Sequence, residues 1–264
     1  MSEAGLTYEA KASLALEQLG LGVAREHLDT ACQQAAAGNW SYSHFLGYLL
    51  EGELQERHRK TVALNMQFAR FPYLKRLEDF QFDAQPGLDR RLIEELATGR
   101  FLHEGRNIVF LGPPGVGKTH LAIALGVITA EMGHRVYFVT AIEMARRLSK
   151  ALAENTLHRE MNNLTRPKLL VIDEVGYLSY SNRHADLLFE LTNRRYEKKS
   201  TLITTNRAFA EWHEVFPNAA CVVSLIDRLT HNCEVIALEG ESYRLKEAQE
   251  RAEQRAQRRR RKKS

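Results

Sequence analysis

The chain is poor in cysteine, in proline and in long apolar runs. Its three cysteines, Cys32, Cys221 and Cys233, are scattered and odd in number. No Cys-x-x-Cys pair exists, which excludes a zinc site of that type and points to a reducing compartment. The triplets Asn39-Trp40-Ser41 and Asn163-Leu164-Thr165 are then expected to be chance matches to the glycosylation pattern. No uninterrupted apolar stretch approaches the length that crosses a bilayer, so no membrane partner is expected. The start, Met1-Ser2-Glu3-Ala4-Gly5, lacks the basic region and apolar core of a secretory signal, which points to the cytoplasm. The first 80 residues hold one proline, Pro72, and that region is expected to be helical.

The body of the chain also lacks an excess of either charge. The net charge of +4 comes from its end, where Arg258, Arg259, Arg260, Arg261, Lys262 and Lys263 lie within the last seven residues. Without those six, 31 basic residues face 33 acidic ones. Such a tail is ordinarily solvated. It also suits nucleic acid, because each cation beside a phosphate releases a counterion.

What is present is a phosphate-binding loop in its expected setting. The apolar strand Asn107–Leu111 runs straight into Gly112-Pro113-Pro114-Gly115-Val116-Gly117-Lys118-Thr119, the pattern GxxxxGK[ST]. Its glycines let backbone N–H groups turn inward around phosphate oxygens. Lys118 is placed to reach the β- and γ-phosphates, and the Thr119 hydroxyl to ligate magnesium. The helix that begins at the loop points the positive end of its dipole at the anion. A nucleoside triphosphate with Mg²⁺ is the expected ligand.

Around the loop the pattern alternates. Helices are expected over Tyr8–Leu19, Val23–Ala37 and from Ser41 or Ser43 to Ala69, the last with a stripe at Leu46, Leu50 and Leu54. Beyond Phe71-Pro72 lies a linker whose aromatics, Phe80 and Phe82, are expected to pack on the next domain. After it come a helix over Asp89–Thr98 and strands Asn107–Leu111, Val136–Val139, Lys168–Ile172, Thr201–Thr205 and Glu234–Ala237. Helices separate the strands, among them Lys118–Met132, Ile142–Ala153, Leu157–Leu164, Asn182–Glu197 and Val222–Thr230. Such alternation implies an α/β fold, a parallel sheet covered by helices on both faces. Three segments are expected: a small all-helical domain over 1–75, the nucleotide-binding domain over 76–246 and a basic tail over 247–264.

Two further strand ends carry chemistry. Lys168–Ile172 stops at Asp173-Glu174. In a parallel sheet ligands bind at the carboxyl ends of strands, so Asp173 is positioned to hold Mg²⁺ through water. Glu174 is positioned to polarise a water for in-line attack on the γ-phosphate. Thr201–Thr205 ends at Asn206, whose amide suits orienting that water or sensing the γ-phosphate.

Gly112–Thr119, Leu169–Glu174, Thr204–Asn206 and the run Leu225-Ile226-Asp227-Arg228-Leu229 resemble the Walker A, Walker B, sensor 1 and arginine-finger elements of AAA+ ATPases. Within that superfamily the chain is similar to the IstB/DnaC group. Phe45–Arg57, Ala69-Arg70-Phe71-Pro72 and Leu77–Phe80 resemble IstB, the ATPase helper family of bacterial insertion sequences; Asn193–Glu197 and Ser242-Tyr243-Arg244 also fit. The resemblance covers roughly residues 7–246 and implies an AAA+ core with a five-stranded parallel sheet and no C-terminal lid. It implies an ATPase, with Arg228 as a finger supplied to a neighbouring subunit and Arg194 and Arg195 as rivals. Arg244 takes the place of sensor 2. A finger in trans implies a ring or spiral homo-oligomer.

In initiator-type members the segment between the second and third strands lines a DNA surface. Arg146, Arg147 and Lys150 would face one phosphate track there, with Arg159 nearby. The implied function is a nucleoid-associated, ATP-dependent helper that assembles on duplex DNA with little sequence preference, deforms it and recruits a transposase. No dispersed carboxylate triad of a DNA-cutting enzyme is visible. The alternatives are a helicase loader of the DnaC type and a non-catalytic adaptor with a vestigial site.

Overall fold

The structure is a computed structural model, which describes residues 7–176, 182–216, 220–240 and 242–243. Arg244 and the basic tail lie outside the described residues. The chain divides into two compact units, Met1–Leu64 and Asn65–Ser264.

The first unit contains helices α1 (Tyr8–Gln18) and α2 (Gly22–Ala37) and most of α3 (Tyr42–Ala69). Ser41 starts α3, its hydroxyl accepting from the His44 amide at 3.2 Å. The small core joins Ala24, Leu28 and Ala31 of α2 to Leu49 of α3. The expected stripe of Leu46, Leu50 and Leu54 is not the packed face. Leu46 and Leu54 are exposed, and the inward line is Phe45, Leu49 and Glu53. Glu53 belongs on that line because α2 has no side-chain cap of its own. Its carboxylate accepts from the amides of Val23 at 3.0 Å and Ala24 at 3.4 Å, at the positive end of the α2 dipole. Arg57, one turn on, pairs with it at 3.3 Å. Glu53→Ala is therefore expected to destabilise the first unit by about 1–2 kcal/mol, the cost of a lost cap. Thermal unfolding followed by helical circular dichroism measures it, and an unchanged transition would remove Glu53 from this role.

The second unit opens with the end of α3. Met66, Ala69 and Phe71 pack into its core, so the boundary falls inside α3 rather than at residue 75. Arg70 takes φ 57°, which turns the chain. The Phe71 ring then lies so close to Gly126 that a Cβ there would meet it at 2.8 Å. This gives the Arg-Phe-Pro segment a packing role. After α4 (Arg90–Ala97) and α5 (Arg100–Glu104), strands β1 (Asn107–Leu111), β2 (Val136–Thr140), β3 (Leu169–Val175), β4 (Ser200–Thr205) and β5 (Cys233–Ala237) form one sheet. Its order is β2-β3-β4-β1-β5 and every pairing is parallel.

Both faces are covered, as the apolar strands require. Ile108, Phe110, Val171 and Leu202 pack beneath α6 (Lys118–Glu131) with α4 and α5. Their neighbours Val109, Leu170, Ile172 and Ile203 point the other way. They meet α7 (Ala141–Ala153), α8 (Leu157–Thr165), α9 (Asn182–Arg195), α10 (Trp212–Val215) and α11 (Val222–Thr230). No described helix is long and apolar enough to cross a membrane. The three cysteines are unpaired. Burial pushes the Cys233 thiol up to about 12 and the Cys221 thiol up to about 11, so both are inert as nucleophiles at neutral pH.

Candidate active site

The loop between β1 and α6 is fixed by contacts that exclude side chains. Gly112 sits against β5's end, where a Cβ would lie 2.1 Å from the Leu238 carbonyl oxygen. Gly117 has φ 102°, and a Cβ there would meet the Phe80 ring at 2.6 Å. Phe80 is itself nearly buried in the core of this unit, so the linker aromatic packs where it was expected to. Val116 is buried beneath the loop, and the Gly115 carbonyl accepts from the Tyr243 amide at 3.0 Å.

Lys118 is 5% exposed. Its ammonium donates to the carbonyls of Gly112 and Pro113, both at 2.7 Å, so the loop curls around its own cation. The Thr119 hydroxyl donates to Asp173 Oδ1 at 2.9 Å, joining the start of α6 to β3. Asp173 is buried and also accepts from the Thr204 hydroxyl at 2.5 Å. Two hard oxygens, the Thr119 hydroxyl and the Asp173 carboxylate, thus meet beside the loop, a donor set that fits a magnesium ion.

β3 runs further than expected, through both acids to Val175, and it is bulged. Ile172 pairs with Ile203 and Val175 with Thr205, so Asp173 and Glu174 together oppose Thr204. Glu174 takes φ 64°. It lines a cavity of about 320 Å³ with Gly115–Thr119 and Thr204, and Asp173 is linked to that lining through its bond to Thr119. The linker contributes Tyr73, Phe80 and Gln85 to the same lining, with Tyr243. Asn206 follows β4 directly, and its Oδ1 is buried without a hydrogen-bond partner among the described residues. A buried acceptor of this kind calls for a water or a ligand group.

The arginines separate sharply. Arg195 is 1% exposed and serves the fold. Its guanidinium reaches the Thr201 hydroxyl and the carbonyls of Leu164, Thr165, Pro167, Lys168 and Ser200 at 2.5–3.5 Å. Burial pushes it down to about 9, which leaves it charged at neutral pH. Neighbouring Arg194 pairs with Glu190 at 2.5 Å on the surface. Arg228, half-buried on α11, lies over the rings of Phe189 at 5.7 Å and Tyr196 at 5.2 Å, away from the cavity wall.

The IstB-like ATP binding protein family matches residues 14–251. The chain belongs to that family. It is 43% identical over 221 residues to the ATP-binding protein of insertion sequence IS21 from Pseudomonas aeruginosa, across 84% of this chain and 83% of the relative. It is 39% identical over 230 residues to that of insertion sequence IS5376 from Geobacillus stearothermophilus, across 87% and 92%. Among solved structures, AMPPCP-bound DnaA from Aquifex aeolicus superposes with a TM-score of 0.54 at 24% identity, over 68% of this chain and 55% of that one. That likeness is one of fold. As an IstB-like ATP binding protein the chain is an ATPase built on the AAA+ type of parallel α/β core described above.

The basic residues between β2 and β3 do not form one track. Arg147 turns inward, donating to the Tyr137 hydroxyl and pairing with Glu160 of α8 at 2.5 Å. Both partners of that ion pair are mostly covered. It fastens α8 to α7 and β2, so it is removed from the expected phosphate-facing set. Arg146 and Lys150 stay exposed, paired with Glu143 at 2.6 Å and Glu154 at 3.7 Å. Arg159 is exposed on α8.

Proposed function

We propose that this ATPase is an ATP-dependent helper of transposition that assembles on duplex DNA and recruits its element's transposase. The observation that carries the chemical part is the convergence of Lys118, Thr119 and Glu174 on one cavity, with Asp173 bonded to Thr119. In this reading the loop amides and Lys118 hold the β- and γ-phosphates of ATP. Thr119 and Asp173 hold magnesium, whose contribution is neutralising charge on those phosphates. Glu174 accepts a proton from the attacking water, and Asn206 orients that water through its unpartnered Oδ1. The products are ADP and phosphate. Lys118→Ala should abolish phosphate release with or without duplex DNA, measured by a coupled phosphate assay. Parent-level release in that variant would exclude this cavity as the hydrolytic site.

Arg228 completes the site from a neighbouring copy. Its guanidinium is held by two aromatic faces and, among the described residues, by no acid, which keeps its donors available to an anion. Arg195, committed to six acceptors, is unsuited to that task. Hydrolysis then depends on assembly, and ADP formation releases the assembly. DNA contact falls to Arg146, Lys150 and Arg159, because exposed ion pairs are weak enough to exchange a carboxylate for a phosphate. Arg244, as sensor 2, and the basic tail would add cations to the nucleotide and the DNA respectively. The relatives favour this reading over helicase loading, since both named above belong to insertion sequences.

A further inference from the structure

Adjacent carboxylates pose a geometric problem. Successive side chains of a regular strand point to opposite faces, so Asp173 and Glu174 would not both meet one nucleotide. The bulge in β3 solves this, and a single hydroxyl on β4 holds the bulge. The extra residue of a bulge loses its ladder partner. The Glu174 amide instead donates to Thr204 Oγ1 at 2.9 Å. The same hydroxyl gives its one proton to Asp173 Oδ1 at 2.5 Å. Thr204 is 1% exposed, so no bulk water competes for these bonds. The left-handed conformation at Glu174, which residues other than glycine rarely adopt, needs such local restraint to persist.

We propose that Thr204 is a positioning residue for hydrolysis. Its hydroxyl locks the Asp173–Glu174 bulge, so that Glu174 faces the triphosphate while Asp173 is oriented toward Thr119. It acts through the two carboxylates. Thr204 also lies two residues before Asn206, so the strand that carries the water-orienting amide sets the position of the base. This rests on Asp173 and Glu174 being the hydrolytic carboxylates, and Glu174→Gln is therefore run in parallel.

The test uses the full chain and compares Thr204→Val with Thr204→Ser. Valine keeps the shape and removes the hydroxyl; serine keeps the hydroxyl. Steady-state phosphate release gives kcat and KM, and equilibrium binding of a fluorescent ATP analogue gives the affinity. Thr204→Val is expected to lower kcat about 100-fold, the low end of a misplaced general base, with affinity changed by less than about threefold. Thr204→Ser is expected to recover most of the parent rate. The proposal is overturned if Thr204→Val turns over at the parent rate while Glu174→Gln is inactive, or if serine fails to rescue. Parallel loss of nucleotide binding and turnover in Thr204→Val overturns it too, in favour of a purely structural role. Normal turnover in Glu174→Gln would instead remove the reading on which the proposal stands. Should the valine variant not fold, Thr204→Cys replaces it. A thiol is a weak donor and acceptor, so a rate between those of parent and Glu174→Gln is expected, and a parent-level rate overturns the proposal.

Discussion

Glu174→Gln should leave nucleotide binding intact and lower the rate of ATP hydrolysis by roughly 10²–10⁴-fold. Glutamine has nearly the shape of glutamate, so the left-handed turn at residue 174 and the bulge opposite Thr204 persist. The substitution removes the group that accepts the proton of the attacking water. Because that interaction develops in the transition state, kcat should fall while KM hardly changes. Single-turnover phosphate release, with binding of a fluorescent ATP analogue as the control, separates the two quantities. A rate within a factor of about two of the parent would mean that another group is the base. In the assembly reading the same variant should remain ATP-bound and accumulate on DNA.

The second large effect concerns stability. Arg195→Ala is expected to cost about 3–5 kcal/mol, because hydrogen bonds to a charged group contribute about 1.5–3 kcal/mol each and several buried ones are lost together. Five backbone carbonyls and the Thr201 hydroxyl would lose the guanidinium as donor, while Thr165 and Lys168 keep a second one, the Lys199 ammonium and the Ser200 amide. That is a large share of the roughly 5–15 kcal/mol by which a domain is usually stable. Arg195→Lys should recover only part, since an ammonium has three donors and no planar fork. Urea denaturation of the purified variants gives the values. A trans finger would behave oppositely: the alanine variant would fold normally and lose hydrolysis alone. Arg228→Ala is the informative contrast, with normal unfolding expected alongside lost turnover.

Much of the fold was legible because buried parallel strands are nearly continuous apolar runs. Each of the five expected strands corresponds to one in the sheet, and the order of helices and strands follows the alternation. The short helix α5 went unread; Gly99 and Gly105 take left-handed conformations that close α4 and α5 in turn, and five residues are too few to show a helical period. The packed line of α3 was misplaced by one residue. Its third member, Glu53, is charged, and a hydropathy pattern does not register a buried carboxylate that caps another helix.

The site shows the same division. The loop at Gly112–Thr119 and the Asp173-Glu174 pair announce themselves by residue type and by following strands. The bulge does not, because it depends on register between β3 and β4. Thr204, though inside the segment that resembles sensor 1, has no legible role for the same reason: in sequence it is one of several threonines in a strand, and only its partners distinguish it. Arg194 and Arg195 were equivalent as a doublet, yet one lies at the surface and the other is the most buried charge described. Arg147 likewise looked like its neighbours until Tyr137 and Glu160 were found around it.

The dependence of DNA binding on nucleotide state tests the proposed function most directly. Electron microscopy of the purified chain with duplex DNA, once with ATP and once with ADP, reads assembly and nucleotide dependence together. Regular oligomers on the duplex with ATP, and their absence with ADP, are the predicted result. Equal binding in both nucleotides, or binding as single copies, would contradict it.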